Sequence, residues 1–247
     1  MMLSLSCTSL QPLVRNLARY AVLTPDDRIA ITALGDRSMV EKPAHADIAR
    51  EGERPRLAHA LISGWACCYK DLPDGRRQIL AFLLPGDFLD IDLDSVREQD
   101  CSVGALTRVR LAEILPSQVH ALEDEHPRVW KALLLQQRAK GAILREWLLN
   151  TGQRTATERL AHLLIELFLR NRAIGLASRE GLDFPITQGH LAEATGLTPV
   201  HVNRTMQALR RQDLIEYANG RLEILDLARL SDIALFDAKY LCVEEYQ

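Results

Sequence analysis

The sequence predicts an α+β chain: a roll of short β-strands in the N-terminal half, a long helix, and a C-terminal winged helix-turn-helix. Three observations carry this reading. Apolar runs separated by turn dipeptides fill residues 38–115, and a long helical pattern follows from about Arg128 to Leu149. Two short capped helices and an Asn-Gly hairpin then occupy 186–224. The expected division is 1–127 for the roll, 128–150 for the long helix and 151–247 for the winged domain.

With 247 residues there is room for two domains, and 47% hydrophobic with 26% charged residues is the balance of a soluble globular chain. The net charge of −3 leaves only a small, locally basic surface for any polyanion. No apolar run reaches the roughly 18 residues of a membrane span. Ser, Thr, Gln and Pro break up the apolar residues before Arg15, which is a poor secretion signal, so a cytoplasmic protein is expected.

From about residue 10, Leu10, Leu13, Leu17, Tyr20 and Ala21 form one helical stripe, and Thr24-Pro25-Asp26-Asp27 opens a second helix. Residues 57–69 and 78–84 read as strands joined through Asp74-Gly75, and Pro85-Gly86 suits the centre of a type II turn. In the long helix Val129, Leu133, Gln136, Lys140, Ile143 and Trp147 lie near one line, with Trp130, Leu134, Ala142, Leu144 and Leu148 widening the apolar surface. That line is expected to meet a second copy of the chain across a twofold axis. A core helix within one subunit is the alternative. Asn150-Thr151-Gly152 is expected to break the helix.

The C-terminal domain opens with an amphipathic helix over 155–170, its face formed by Leu160, Leu163, Leu164, Leu167 and Phe168. A short strand over 182–186 leads into ITQGHLAEATGLTPVHVNRTMQALRRQDLI, residues 186–215. Thr187 caps a helix beginning at Gln188, Gly196 ends it, and Thr198 with Pro199 opens the next. At 100° per residue, Val202, Met206 and Leu209 point inward. Val200, Arg204, Gln207 and Arg211 point outward, flanked by His201 and Asn203. Donors on that face can reach base edges, Arg204 can grip a guanine with two bonds, and Arg210 and Arg211 suit phosphates. Asn219-Gly220 then demands a type I′ turn, which pairs Tyr217 with Leu222 and Ile215 with Ile224 as a wing.

These residues resemble the Crp/Fnr family of bacterial transcription regulators. The match is strongest over 186–215, and DGRRQILAFLLPGDFL, residues 74–89, resembles the family's cyclic-nucleotide-binding-like β-roll. The resemblance implies a homodimer on a palindromic double-stranded DNA operator, in contact with RNA polymerase. It places the base-reading residues at Pro199, Val200, Asn203 and Arg204. Val200 stands where the family commonly has a glutamate that accepts from cytosine, so a different half-site is expected, with a thymine methyl against Val200 one possibility.

The ligand region departs further from the family. Nucleotide-binding members carry Gly-Glu and then Arg-Ser or Arg-Thr; here Asp90-Ile91 and Cys101-Ser102 stand in those regions. Asp90, Asp92, Asp94 and Asp100 would repel a phosphate, with Arg97 the one cation nearby in the sequence. No cyclic nucleotide is expected, and the effector is unknown. Cys7 alone near the N-terminus does not make the closely spaced cysteine set of an iron–sulfur cluster. No other cofactor is expected. The acidic run fails as a calcium loop because Ser95 and Cys101 replace the required glycine and glutamate.

Cys7, Cys67, Cys68, Cys101 and Cys242 form no C-x-x-C pair, so neither zinc nor a disulfide framework is indicated. Cys67 and Cys68 point to opposite faces of a strand. Reduced, mostly buried thiols are the expectation, a redox-sensing cysteine the alternative. No P-loop, nucleophile elbow, zinc-protease or dinucleotide fingerprint is present, so no enzyme is expected. A winged helix that binds protein and not DNA remains the competing reading.

Overall fold

A computed structural model describes residues 10–91, 93, 97–178 and 181–242, with backbone alone for 35–37. Cys7, Asp92, Asp94 and Ser95 lie outside the described residues. The chain divides into two compact units. One holds the chain up to Lys70 with Phe82–Arg138; the other holds Asp71–Ala81 with Ala139–Gln247. The division falls inside the long helix and assigns a hairpin tip to the C-terminal unit, unlike the expected boundaries at 127 and 150.

The first unit opens with helices α1 (Gln11–Ala18) and α2 (Pro25–Arg37), the latter started by a Thr24–Asp27 capping box as its sequence predicts. Strands β1 (Met39–Lys42), β2 (Asp47–Ala49), β3 (Ala58–Ser63), β4 (Ala66–Asp71), β5 (Arg77–Leu83), β6 (Phe88–Leu89), β7 (Ser102–Ala105) and β8 (Val109–Ile114) follow. They form two four-stranded sheets, of order β1-β8-β3-β6 and β2-β7-β4-β5. Strand alternation builds two cores from the first sheet. Leu61 of β3 and Val109 and Leu111 of β8 join Ile48, Ala66, Leu83, Val103 and Ala105 in one cluster. Ala58, Ala60 and Ile62, with Ala112 and Ile114, pack on the other side against Leu10, Leu13, Leu17, Ile31 and Leu133.

The Pro85-Gly86 turn matters beyond its shape. Gly86 has φ +95°, and a Cβ there would lie 2.6 Å from Cβ of Asn16, so only glycine fits. Asp87 accepts from the Leu84 amide at 2.8 Å and from the Asn16 amide at 3.2 Å.

Helix α3 (Pro116–Glu125) precedes the long helix α4 (Pro127–Gln153). The face expected to meet a second copy is instead buried within the chain, which corrects the sequence reading. Val129 and Leu133 belong to the core against the roll. Gln136 brackets the glycine turn, its Nε2 donating to the Gly86 carbonyl at 2.9 Å and its Oε1 accepting from the Phe88 amide at 3.0 Å. Ile143 and Trp147 are also buried, and Lys140 is partly so. Leu134, Leu144, Leu148 and Leu149 are the exposed large apolar residues of α4, Leu148 by 73%. Only the packed structure could decide between these faces, because both are apolar.

The expected break at Asn150 is absent. Asn150 is buried, with its Oδ1 accepting from Arg154 at 2.8 Å and its Nδ2 facing His162 Nδ1 at 3.1 Å. The Asn150 side chain is thereby used without opening the helix. The break comes at Arg154, and Thr155 caps helix α5 (Ala156–Ala173) through a box with Glu158.

Helix α5 is not one-sided, as the sequence suggests. Every residue from Leu160 to Asn171 is buried, including His162, Glu166 and Arg170. The C-terminal elements explain this. Strands β9 (Ala177–Ser178) and β10 (Gly181–Asp183), helices α6 (Gln188–Thr195) and α7 (Pro199–Arg211) and strands β11 (Ile215–Ala218) and β12 (Arg221–Ile224) precede α8 (Leu227–Ala234). Helix α8 packs heavily on α5, and a 3-10 turn at Ala238–Leu241 adds to the cover. Glu166 accepts from Trp147 Nε1 and Tyr240 Oη, each at 3.0 Å, and faces Arg170 at 3.4 Å. Burial raises its pKa, while Arg170 and the two hydrogen bonds oppose the rise.

His162 lies among the Phe236 and Tyr240 rings, with centroids at 4.8 and 5.9 Å. Because Asn150 Oδ1 is taken by Arg154, its Nδ2 must donate, and His162 Nδ1 accepts as neutral imidazole. Burial, reinforced by Arg154, pushes its pKa down to about 3. The folded chain therefore refuses a proton that the unfolded chain takes up at its ordinary value of 6.5. This contribution is whole above pH 6.5 and is lost as pH falls from there towards 3. Melting curves between about pH 7.5 and 4.5 should show wild type losing stability relative to His162→Gln, at no more than about 1.4 kcal/mol per pH unit. Parallel curves for the two would contradict the buried neutral imidazole.

Candidate nucleic-acid interface

Two threonine caps and one glycine set the angle between α6 and α7. Thr187 Oγ1 accepts from the His190 amide at 3.2 Å, and Thr198 Oγ1 from the His201 amide at 3.2 Å. Gly196 between them sits at φ 67° and ψ 28°, the left-handed conformation its position in the turn requires, and donates to the Ala192 carbonyl. Arg159 of α5 holds the same turn from behind. Its Nη1 donates to the Thr195 carbonyl at 2.6 Å, and its Nη2 to the carbonyls of Thr151 and Arg154 at 3.0 and 3.1 Å. No sequence pattern signals this role, because the partners are backbone oxygens from distant segments.

Helix α7 has the two faces the sequence predicts. Val202, Met206 and Leu209 are buried, and Thr205 joins them. Val200, Arg204, Gln207 and Arg211 are exposed, Val200 by 80%. His201 and Asn203 are half-buried beside them, and Thr187, Thr198 and Pro199 are exposed at the helix starts. The structure brings three of these side chains into one chain of bonds. Asn203 Nδ2 donates to Gln188 Oε1 at 3.1 Å, and Gln207 Nε2 donates to Asn203 Oδ1 at 3.2 Å. The amides are thus ordered before any ligand arrives, which lowers the entropy cost of using them.

Arg210 behaves differently from its expected role on phosphates. Its Nη2 pairs with Glu216 of the wing at 2.7 Å, tying α7 to β11. Both partners are nearly half exposed, so the pair contributes little to stability. The wing has the predicted register, with Tyr217 opposite Leu222 and Ile215 opposite Ile224. Asn219 and Gly220 have φ of 53° and 72°, as a type I′ turn requires. Tyr217 Oη donates to the Ile186 carbonyl at 3.2 Å and fixes the wing to the start of the helix pair.

A second concave site lies in the roll, a cavity of about 490 Å³ lined by Ile48, Ala49, Glu53, Arg54, Pro55, Arg56, Leu57, His59, Asp90 and Gln99. Sequence distance concealed two of its cations, Arg54 and Arg56, which the fold brings to the same cavity as Asp90. Asp90 has φ 57°, a left-handed conformation that favours glycine. His59 Nδ1 and Gln99 Nε2 are buried without a hydrogen-bond partner among the described residues.

Known proteins match both units. The sequence model for the Crp-like helix-turn-helix domain covers residues 158–233, and that for the cyclic nucleotide-binding domain covers 39–126. The nitrogen fixation regulation protein FixK of Bradyrhizobium diazoefficiens is 30% identical over 175 residues, 70% of this chain and 72% of its own. This chain belongs to the Crp/Fnr family. The transcriptional activator FnrL of Cereibacter sphaeroides is similarly related, at 30% identity over 74% of this chain and 75% of its own. The solved structure of FixK2 from Bradyrhizobium japonicum shares the fold, with a TM-score of 0.70 and 24% identity over 79% of this chain and 96% of that one. As a Crp/Fnr-type transcription regulator, the chain carries its DNA-binding helix-turn-helix within 158–233.

The caps and the outward face should separate on mutation. Thr198→Ala removes the bond to the His201 amide and should cost about 1 kcal/mol in chemical denaturation. Arg204→Ala, on the exposed face, should leave the denaturation midpoint unchanged within about 0.5 kcal/mol. A large loss from Arg204→Ala would place that side chain in the fold's support and not on its reading face.

Proposed function

We propose that this Crp/Fnr regulator binds a palindromic operator as a homodimer, without a cyclic nucleotide or an iron–sulfur cluster as its switch, and acts through contact with RNA polymerase. The observation that carries the reading is the outward face of α7. Arg204, Gln207 and Asn203 present donors there, and Val200 offers a methyl-bearing surface where an acceptor would otherwise stand. Thr187, Gln188, Pro199 and His201 at the helix starts suit phosphates on one side of this face, and Arg211 at the far end of α7 suits one on the other. No catalytic step is proposed, since the relatives are transcription regulators. A regulator that works on DNA acts, in this reading, in the cytoplasm.

The dimer surface follows from what the chain leaves uncovered. Leu134, Arg138, Gly141, Arg145 and Leu148 recur at three- and four-residue spacing on α4, flanked by Leu144. This stripe, in place of the buried Val129–Trp147 line, is the surface for a second copy. Leu148→Glu should convert a dimer to a monomer in sedimentation velocity while the far-ultraviolet spectrum stays unchanged. A dimer that survives this change would exclude the stripe.

The reading face is tested by selecting bound sequences from random duplex DNA without added nucleotide. Wild type should enrich a palindrome with half-sites about one helical turn apart, and Arg204→Ala should lose it. If wild type enriches nothing, alone or with cell extract, the winged helix is a protein-binding module. Enrichment only after adding cyclic AMP would overturn the effector-free reading alone.

A further inference from the structure

Cys68 and Cys101 meet in the roll although the sequence separates them. Strand β4 pairs with β7 so that Cys68 stands opposite Val103, Cys67 opposite Gly104 and Tyr69 opposite Ser102. Ala66 and Cys68 share one core with Val103 and Ala105, so these residues define the same face of the sheet. Two residues back from Val103, the alternation brings Cys101 to that face, diagonal to Cys68. On that face the two side chains are neighbours, near enough for Cys68 to act on the Cys101 proton. Cys67 is buried and points the other way, whereas Cys68 and Cys101 are each partly accessible.

The backbone around Cys101 is held in place. Gly52 N donates to the Gln99 carbonyl and Gln99 N to the Glu53 carbonyl, each at 2.8 Å, and Glu51 N donates to Ser102 Oγ at 3.0 Å. Lys70 and Glu51 pair at 2.8 Å beside them. The hydrogen bond with Cys68 keeps the Cys101 thiol protonated; burial and the charges of Cys68 and Asp100 add to the effect.

We propose that Cys68 and Cys101 form a peroxide-responsive dithiol that closes to an intramolecular disulfide. Cys68 Sγ attacks one oxygen of hydrogen peroxide, the O–O bond breaks, and a sulfenic acid and one water result. Cys101 Sγ then displaces the hydroxyl from Cys68 Sγ. Its thiol proton leaves with that hydroxyl as a second water, the S–S bond forms, and the peroxide has been reduced by two electrons. The bond staples β4 to the segment entering β7, and Gln99 of that segment lines the roll's cavity. Oxidation thereby reaches the cavity wall.

The test uses full-length protein treated with hydrogen peroxide, alkylated, digested with trypsin without reductant and analysed by mass spectrometry. Peptides 57–70 and 98–108 should appear linked, at a mass about 2 Da below their sum, and dithiothreitol should separate them. The link should persist in Cys67→Ser and vanish in Cys68→Ser and Cys101→Ser. Fragmentation of the wild-type linked peptide identifies the bonded sulfur even if a variant misfolds. Sulfinic or sulfonic acid at Cys68 and Cys101 with no link, unmodified thiols, or a link through Cys67 would each overturn the proposal.

Discussion

Buried polar groups must find partners, and on α4 they find them within the chain. Gln136 lies against the roll with both ends of its amide bonded to the backbone of the glycine turn. Those carbonyl and amide groups have no water to turn to, so removing the amide would leave both unpaired, at about 1–3 kcal/mol for each. The turn in turn needs Gly86, because Asn16 and the Pro12 carbonyl occupy the space of a side chain. The entry of α4 into the core is thus decided by a glutamine and a glycine rather than by leucines.

The C-terminal unit follows the same rule with charges. Glu166 has no exposed surface, yet Trp147, Tyr240 and Arg170 supply donors to both of its oxygens. Arg154 joins Asn150, Glu146 and the Leu235 carbonyl, and Arg159 joins the Thr195 carbonyl to the end of α4. These bonds connect the helix that ends at Gln153 to the turn that presents α7. A buried network of this kind is costly to satisfy partially, so it favours one arrangement of the unit over near alternatives. The exposed side chains of α7 thus stand on a support fixed by buried groups elsewhere in the unit.

The inward and outward faces of α7, its threonine caps, the Gly196 turn and the register of the Asn-Gly wing were legible in the sequence. Each depends on neighbours within a few residues: a cap bonds three positions on, a helix repeats every 3.6 residues, and a type I′ turn fixes the pairing of the strands it joins. The family resemblance rests on the same stretch. The Arg210–Glu216 pair was missed because the wing's approach to α7 depends on packing.

What the sequence by itself determined was therefore the set of elements, their local caps and turns, and the composition of the exposed face of α7. Tertiary structure decided which of two apolar faces of α4 the chain keeps for itself, and that α5 is buried all round. It also placed Arg54, Arg56 and Asp90 around one cavity, and Cys68 on the same sheet face as Cys101. The physical reason is range. Periodicity and capping are properties of adjacent residues, whereas the choice of a buried face or a charged neighbour depends on the volume and hydrogen-bonding needs of segments far apart in the chain.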